Sequence, residues 1–165
     1  MKTLVLVRHA KAEQSIPGGT DFERNLTDKG KENALEMASN LHKKGIKPDL
    51  IISSSAKRAS KTAAIFAEKF SIEKSQILKK DFLYRNYGVK EIKKLLMQEA
   101  KTLNTVFIFG HNPTISWLAA SLVSGFSQNL PTSGVVIIDF NTDDWSEIGQ
   151  LQGELLMVER PAVNA

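Results

Sequence analysis

The apolar residues of this chain gather into short, nearly unbroken runs: TLVLVR at 3–8, DLIISSS at 49–55, NTVFIFG at 104–110, GVVIIDF at 134–140 and GELLMVE at 153–159. A strand with one wet face alternates polar and apolar residues, so runs this continuous belong to strands covered on both sides. The segments between them follow a helical period. Residues Asp28 to Lys44 place Ala34, Leu35, Ala38 and Leu41 at helical spacing, with Thr27 where an N-cap belongs and Gly45 where a C-cap belongs. A second helix is expected from about Lys57 to Phe70, with Ala59, Ala63, Phe66 and Ala67 inward, and a third from Val89 to about Lys101. A fourth opens near Pro113, a residue tolerated in a first turn, and runs to about Ser124. The stretch between the second and third helices is weaker in pattern and supports a short edge strand near Ile77. The last two apolar runs, joined by NTDDWSEIG, read as a hairpin.

This alternation predicts an α/β fold with a mostly parallel sheet covered on both faces. With 165 residues and neither repeat, low-complexity tract nor linker, a single domain over 1–165 with one core is expected. No apolar run approaches the ~20 residues needed to span a bilayer, and the N-terminal run meets Arg8 and His9 without a small-residue cleavage site, so neither membrane insertion nor secretion is expected. A cytoplasmic location is the resulting expectation. The absence of cysteine excludes a disulfide framework, a thiol nucleophile and a zinc–thiolate site. The net charge of +4 raises the question of nucleic acid, but the basic residues are interleaved with acids along helices and no strand mixes aromatics with Lys or Arg. No nucleic-acid partner is expected, and a mild positive field would attract a small anion.

In open parallel sheets ligands bind at the carboxyl ends of the strands. The first run ends on Arg8 and His9, the second on Ser53 to Ser55 with Arg58 in the next helix's opening turn, and the third on Gly110, His111 and Asn112. Two guanidinium groups buried near two imidazoles are costly unless an anion completes the site, and a phosphoryl group suits it. Arginine's planar fork matches phosphate oxygens and remains charged, a neutral imidazole can attack phosphorus, and a second imidazole can hydrogen-bond the equatorial oxygens. The arginines disfavour imidazolium and so keep the nucleophile unprotonated. There is no GxxxxGK[ST] loop, and no HExxH or carboxylate cluster marks a catalytic metal, so no metal or other cofactor is expected. His42, near a helix C-terminus, reads as solvent-facing.

The pieces VRHAKAE at 7–13, DFERNLTDKGKENA at 21–34, PDLIISSSAKRASKTA at 48–63 and FIFGHNPTIS at 107–116 together resemble the histidine phosphatase (phosphoglycerate-mutase-like) superfamily, and within it the small SixA-type phosphohistidine phosphatases. The resemblance implies a three-layer α/β/α sandwich with one antiparallel strand late in the sheet. It implies that His9 is a nucleophile transiently phosphorylated, that Arg8 and Arg58 clamp the phosphoryl oxygens and that His111 completes the pocket. Thr27 and Asn112 fall at positions implied to support substrate binding, Thr27 being equally a helix cap. Glu13 and Arg24 are implied as an ion pair bracing the loop.

One departure concerns the proton donor. Larger members carry an acidic general acid after the third strand, where DFLYRNYG offers only Asp81, without the usual surrounding motif. An alkoxide needs a proton to leave; an imidazole, with a free pKa near ~6.5, leaves more readily. The stretch between Lys57 and Thr105 is also short, leaving little chain for an enclosing lid. The expected substrate is therefore phosphohistidine on a protein, such as a phosphotransfer domain. The alternatives are a small phosphorylated metabolite and, below it, non-catalytic phosphoprotein binding.

Overall fold

The computed structural model describes residues 1–162. Its sheet has six strands, β1 (Lys2–Arg8), β2 (Leu50–Ser54), β3 (Leu78–Lys80), β4 (Thr105–Gly110), β5 (Val135–Phe140) and β6 (Glu154–Glu159), in the order β3-β2-β4-β1-β5-β6. Four helices accompany them: α1 (Asp28–Lys43), α2 (Lys57–Lys69), α3 (Val89–Glu99) and α4 (Thr114–Leu122). β1, β2, β3 and β4 pair in parallel, and β5 runs against both of its neighbours, β1 and β6. One strand of the six is thus reversed, in a three-layer α/β/α arrangement. The edge strand expected near Ile77 is β3, which begins one residue later.

The unbroken apolar runs are explained by where alternate residues go. Leu4 and Leu6 of β1, Val106 and Ile108 of β4, and Val136 and Ile138 of β5 face a layer built with Ile92, Leu95 and Leu96 of α3 and Ile115, Leu118 and Leu122 of α4. Val5, Val7, Phe107, Phe109, Val135 and Ile137 face the opposite layer, with Ala34, Met37 and Leu41 of α1 and Phe66 and Ala67 of α2. Period-2 alternation persists, but both faces are dry.

Within α1 the inward residues are Ala34, Met37, Ala38 and Leu41, whereas Leu35, expected inward, is half exposed. Ala34 and Leu35 point about 100° apart on the helix, and the smaller one takes the sheet-facing position. His42 is exposed, as expected, with its ring 5.5 Å from Phe70. The connection between β5 and β6 holds a structural surprise, since Trp145 is fully buried there and its Nε1–H points at the carbonyls of Ala100 and Leu103, each 3.0 Å away. No helix among the described residues is long and apolar enough to cross a membrane.

The loop leaving β1 is pinned to the first turn of α1. Lys11 O accepts from Thr27 N at 3.0 Å and from the Thr27 hydroxyl at 3.3 Å, while Thr27 Oγ1 accepts from Gly30 N at 2.9 Å. Gly30 makes the approach feasible, because a Cβ there would lie 2.2 Å from Lys11 O. Gly30→Ala is therefore expected to lower the unfolding free energy by about 1–3 kcal/mol despite alanine's better helix propensity. Urea melts check this, with the exposed neighbour Lys31→Ala expected to stay within about 0.5 kcal/mol of wild type.

Candidate active site

The chain leaves β1 toward the face carrying α1, and leaves β4 toward the face carrying α4. Adjacent parallel strands whose connections diverge in this way open a crevice at their carboxyl ends. Arg8 pairs with Gly110 in the β1–β4 register, so the next residues, His9 and His111, stand side by side with ring centroids 5.1 Å apart. His9 N donates to Gly110 O at 3.0 Å, and Ser133 N reaches the carbonyls of both Arg8 and His9 at 3.1 Å. Arg58, from the first turn of α2, lies beside them. These three side chains are more than nine-tenths buried.

Each group is oriented by a protein partner on its far side. His9 Nδ1 lies 2.7 Å from Ala10 O; a carbonyl only accepts, so Nδ1 carries the proton and Nε2 keeps its lone pair. Arg58 directs Nε toward His9 Nε2 at 3.3 Å, while its terminal nitrogens donate to Asp21 O at 2.7 Å and Asp21 Oδ2 at 2.9 Å. Arg8 donates from one terminal nitrogen to Leu130 O at 2.9 Å, and its Nε is buried without a protein partner. His111 Nε2 is 2.8 Å from Ser54 Oγ, and its Nδ1 is likewise buried without a partner. Asp21 thus takes one N–H of each terminal nitrogen of Arg58, and His9 Nε2 takes its Nε–H.

Burial pushes the His9 imidazole down to about 4; the next-largest effect, its bond to Ala10 O, opposes this, and Arg58 and Arg8 each add a smaller push downward. Burial and then the neighbouring His9 and Arg58 push His111 down to about 3. Both rings are neutral at physiological pH. The arginines contribute in the anticipated direction, but desolvation is the larger cause.

The profile of the histidine phosphatase superfamily (branch 1) matches residues 4–101. The chain belongs to the histidine phosphatase superfamily. It is similar over nearly its whole length to two solved structures of provisionally named SixA phosphohistidine phosphatases. The one from Agrobacterium tumefaciens is 26% identical with a TM-score of 0.81, covering 98% of this chain and 99% of that one. The one from Nakamurella multipartitia is 26% identical with a TM-score of 0.82, covering 98% and 97%. A curated relative, the 2,3-bisphosphoglycerate-dependent phosphoglycerate mutase of Bartonella bacilliformis, is 38% identical over 92 residues, which are 53% of this chain and 44% of the mutase. The chain thus matches less than half the length of that relative.

Around the four central residues, this superfamily member carries a second ring of contacts that its sequence did not announce. Asp21 accepts from Arg58, from Arg24 at 3.1 Å and from the Tyr84 hydroxyl at 2.6 Å. The Tyr84 hydrogen bond above all, then Arg24 and Arg58, hold its carboxyl well below the usual range. The Tyr84 ring stands edge-on to His111 at 5.4 Å and to the partly exposed Phe22 at 5.1 Å. Arg24 pairs with Asp21 and donates to the backbone carbonyl of Glu13, rather than forming the expected ion pair with the Glu13 carboxylate. Asn112 donates to Leu130 O at 2.8 Å and accepts from the Ser116 hydroxyl at 2.6 Å, which fixes the loop that orients Arg8. Thr27 makes the capping bonds described above. Asp81 is engaged by the Ser55 hydroxyl at an exposed edge. A concavity of about 730 Å³, lined in part by Lys31, Lys61, Ile65 and Ile77, contains none of the four central residues.

Because both histidines have folded pKa values below their unfolded ones, the unfolded chain binds more protons between pH ~6.5 and the folded values, so stability is complete above that window and falls as the pH drops through it. Urea melts at pH ~7 and ~5 are expected to show a loss on the order of 1–2 kcal/mol per imidazole, and the loss should shrink in a His9→Asn/His111→Asn variant. A loss of equal size in the variant would contradict neutral imidazoles in the folded site.

Proposed function

We propose that this protein is a phosphatase that removes phosphate from histidine on a protein, through a phosphorylated His9 and without a metal. The observation carrying this reading is the state of the nearby carboxyls. Asp21, the one bonded to the central residues, is held ionised by Tyr84, Arg24 and Arg58, and a carboxylate cannot serve as a proton donor. Asp81 is tied to Ser55 and is proposed to be dispensable as an acid. A substrate suited to such a site carries its own leaving-group proton. An imidazole phosphorylated on one nitrogen can take that proton on the other, whose free pKa of ~6.5 is close to neutrality, and in that protonated form it departs as neutral imidazole.

In the proposed sequence, His9 Nε2 attacks phosphorus in line with the departing nitrogen. The P–N bond to the substrate breaks as the new one forms, with its electrons returning to the substrate imidazole. The Nε groups of Arg8 and Arg58 and the free nitrogen of His111 hold the equatorial oxygens as their charge redistributes. His9 enters the intermediate with Nδ1–H already on Ala10 O. When water attacks phosphorus in the second step, His9 leaves as the neutral tautomer from which it started, and the water's protons pass to phosphate and solvent. Thr27 and Asn112 act here as supports of the surrounding loops rather than as ligands.

The likeness to SixA structures along nearly the whole chain supports a protein phosphohistidine substrate such as a phosphotransfer domain. The partial likeness to a mutase favours, as second reading, the same chemistry on a small phosphate ester. Phosphate release from a phosphohistidine domain, a phosphoserine peptide and p-nitrophenyl phosphate separates the two. The expected result is turnover of phosphohistidine at least about 100-fold faster than of phosphoserine, loss of about 1,000-fold or more in His9→Ala, and near-wild-type activity in Asp81→Ala. Faster turnover of small esters, with dependence on Asp81, would replace the phosphohistidine reading with the second one.

A further inference from the structure

Two serines, Ser53 and Ser54, close β2, and the second meets the pocket's second histidine. Ser54 is fully buried, and its Oγ lies 2.8 Å from His111 Nε2. The same oxygen accepts the backbone N–H of Ala56 at 3.2 Å, and the Ser54 carbonyl is held by the Ser53 hydroxyl at 2.9 Å. A hydroxyl has one proton and two lone pairs, so with one lone pair engaged by Ala56 it can face His111 either as donor or as acceptor. The two cases put the imidazole proton on opposite nitrogens. If Ser54 accepts, Nε2 holds the proton and the buried, unpartnered Nδ1 offers a lone pair, which repels phosphoryl oxygens. If Ser54 donates, Nδ1 carries an N–H.

We propose that Ser54 donates its hydroxyl proton to His111 Nε2 and so holds His111 as the neutral Nδ1–H tautomer, which presents a donor to the phosphoryl oxygens. Ser54 is thereby a positioning residue acting through His111. Its importance follows from the electrostatics: with imidazolium disfavoured by burial and by His9 and Arg58, His111 cannot donate from both nitrogens and must have its single proton on the correct one. The two rings, 5.1 Å apart, then receive opposite assignments from their partners. The Ala10 carbonyl leaves His9 a lone pair for attack, and the Ser54 hydroxyl leaves His111 an N–H for stabilisation.

The inference rests on the phosphatase reading for its purpose, but its first test needs no turnover. Long-range ¹H–¹⁵N spectra of the uniformly labelled protein at neutral pH should show His111 with a pyrrole-like Nδ1 and a pyridine-like Nε2. Ser54→Ala should lose that pattern and Ser54→Thr, which keeps the hydroxyl, should retain it. The opposite pattern in the wild type overturns the proposal whatever the substrate proves to be. On the substrate hydrolysed fastest by the wild type, Ser54→Ala is expected to lower kcat by about 10–100-fold, with Ser54→Thr restoring most of it. In a His111→Ala background Ser54→Ala should cost almost nothing further, because it acts through the missing ring. An equal loss in both backgrounds would mean that Ser54 supports only the local fold around Ala56, and would overturn the positioning role.

Discussion

Two guanidinium groups are packed against two neutral imidazoles at the carboxyl edge of β1, β2 and β4, and much of the surrounding chain is arranged to keep them there. A buried cation is tolerated when its donors are met and its position is fixed. For Arg8 the partner is the carbonyl of Leu130, in the loop after α4; for Arg58 it is Asp21, in the loop after β1. The Leu130 peptide is gripped on both sides, its carbonyl by Asn112 and its amide by the Ser116 hydroxyl at 3.0 Å. Asp21 is gripped by Arg24 and Tyr84. The loops hold both guanidinium groups in place, and the sheet's register sets the spacing of the histidines.

The sheet and its helices were legible because burial leaves a periodic trace. Strands with two dry faces are written as continuous apolar runs, and Ala59, Ala63, Phe66 and Ala67 of α2 mark an inward stripe that the structure reproduces. Where the trace is ambiguous the reading slipped. Adjacent Ala34 and Leu35 both suit an amphipathic pattern, and only packing against the sheet decides between them. Trp145 sits in what reads as a polar loop; its burial depends on the carbonyls of Ala100 and Leu103, and a backbone carbonyl has no signature in the sequence.

The site divides along the same line. Arg8, His9, Arg58 and His111 were visible because strand ends in an open parallel sheet select their own neighbours. Their supports were not, since those contacts cross 37 residues from Asp21 to Arg58, 63 from Asp21 to Tyr84 and 122 from Arg8 to Leu130. Asp21 in DFERN and Tyr84 in DFLYRNYG lie in segments whose patterns carry no sign that they meet. Neither has a role until the fold brings the two loops together and makes the Asp21 carboxylate an anchor for Arg58.

On the proposed function, the charges at the site also allow both imidazoles to remain neutral while a phosphoryl group is bound. A phosphoryl group near neutral pH carries about −1.5 to −2 charges. Arg8 and Arg58 supply two permanent positive charges, and Asp21 is offset by Arg24, with which it pairs at 3.1 Å. The bound state therefore approaches neutrality without protonating either histidine. A site that relied on imidazolium for this balance would hold substrate best at the pH where its nucleophile was blocked. In the proposed mechanism the fixed cations perform the electrostatic task, and His9 retains the lone pair for attack. On the same reading the burial of Arg58 has a use: guanidinium remains charged when buried, so the site could exclude water from a phosphoryl group without losing that charge.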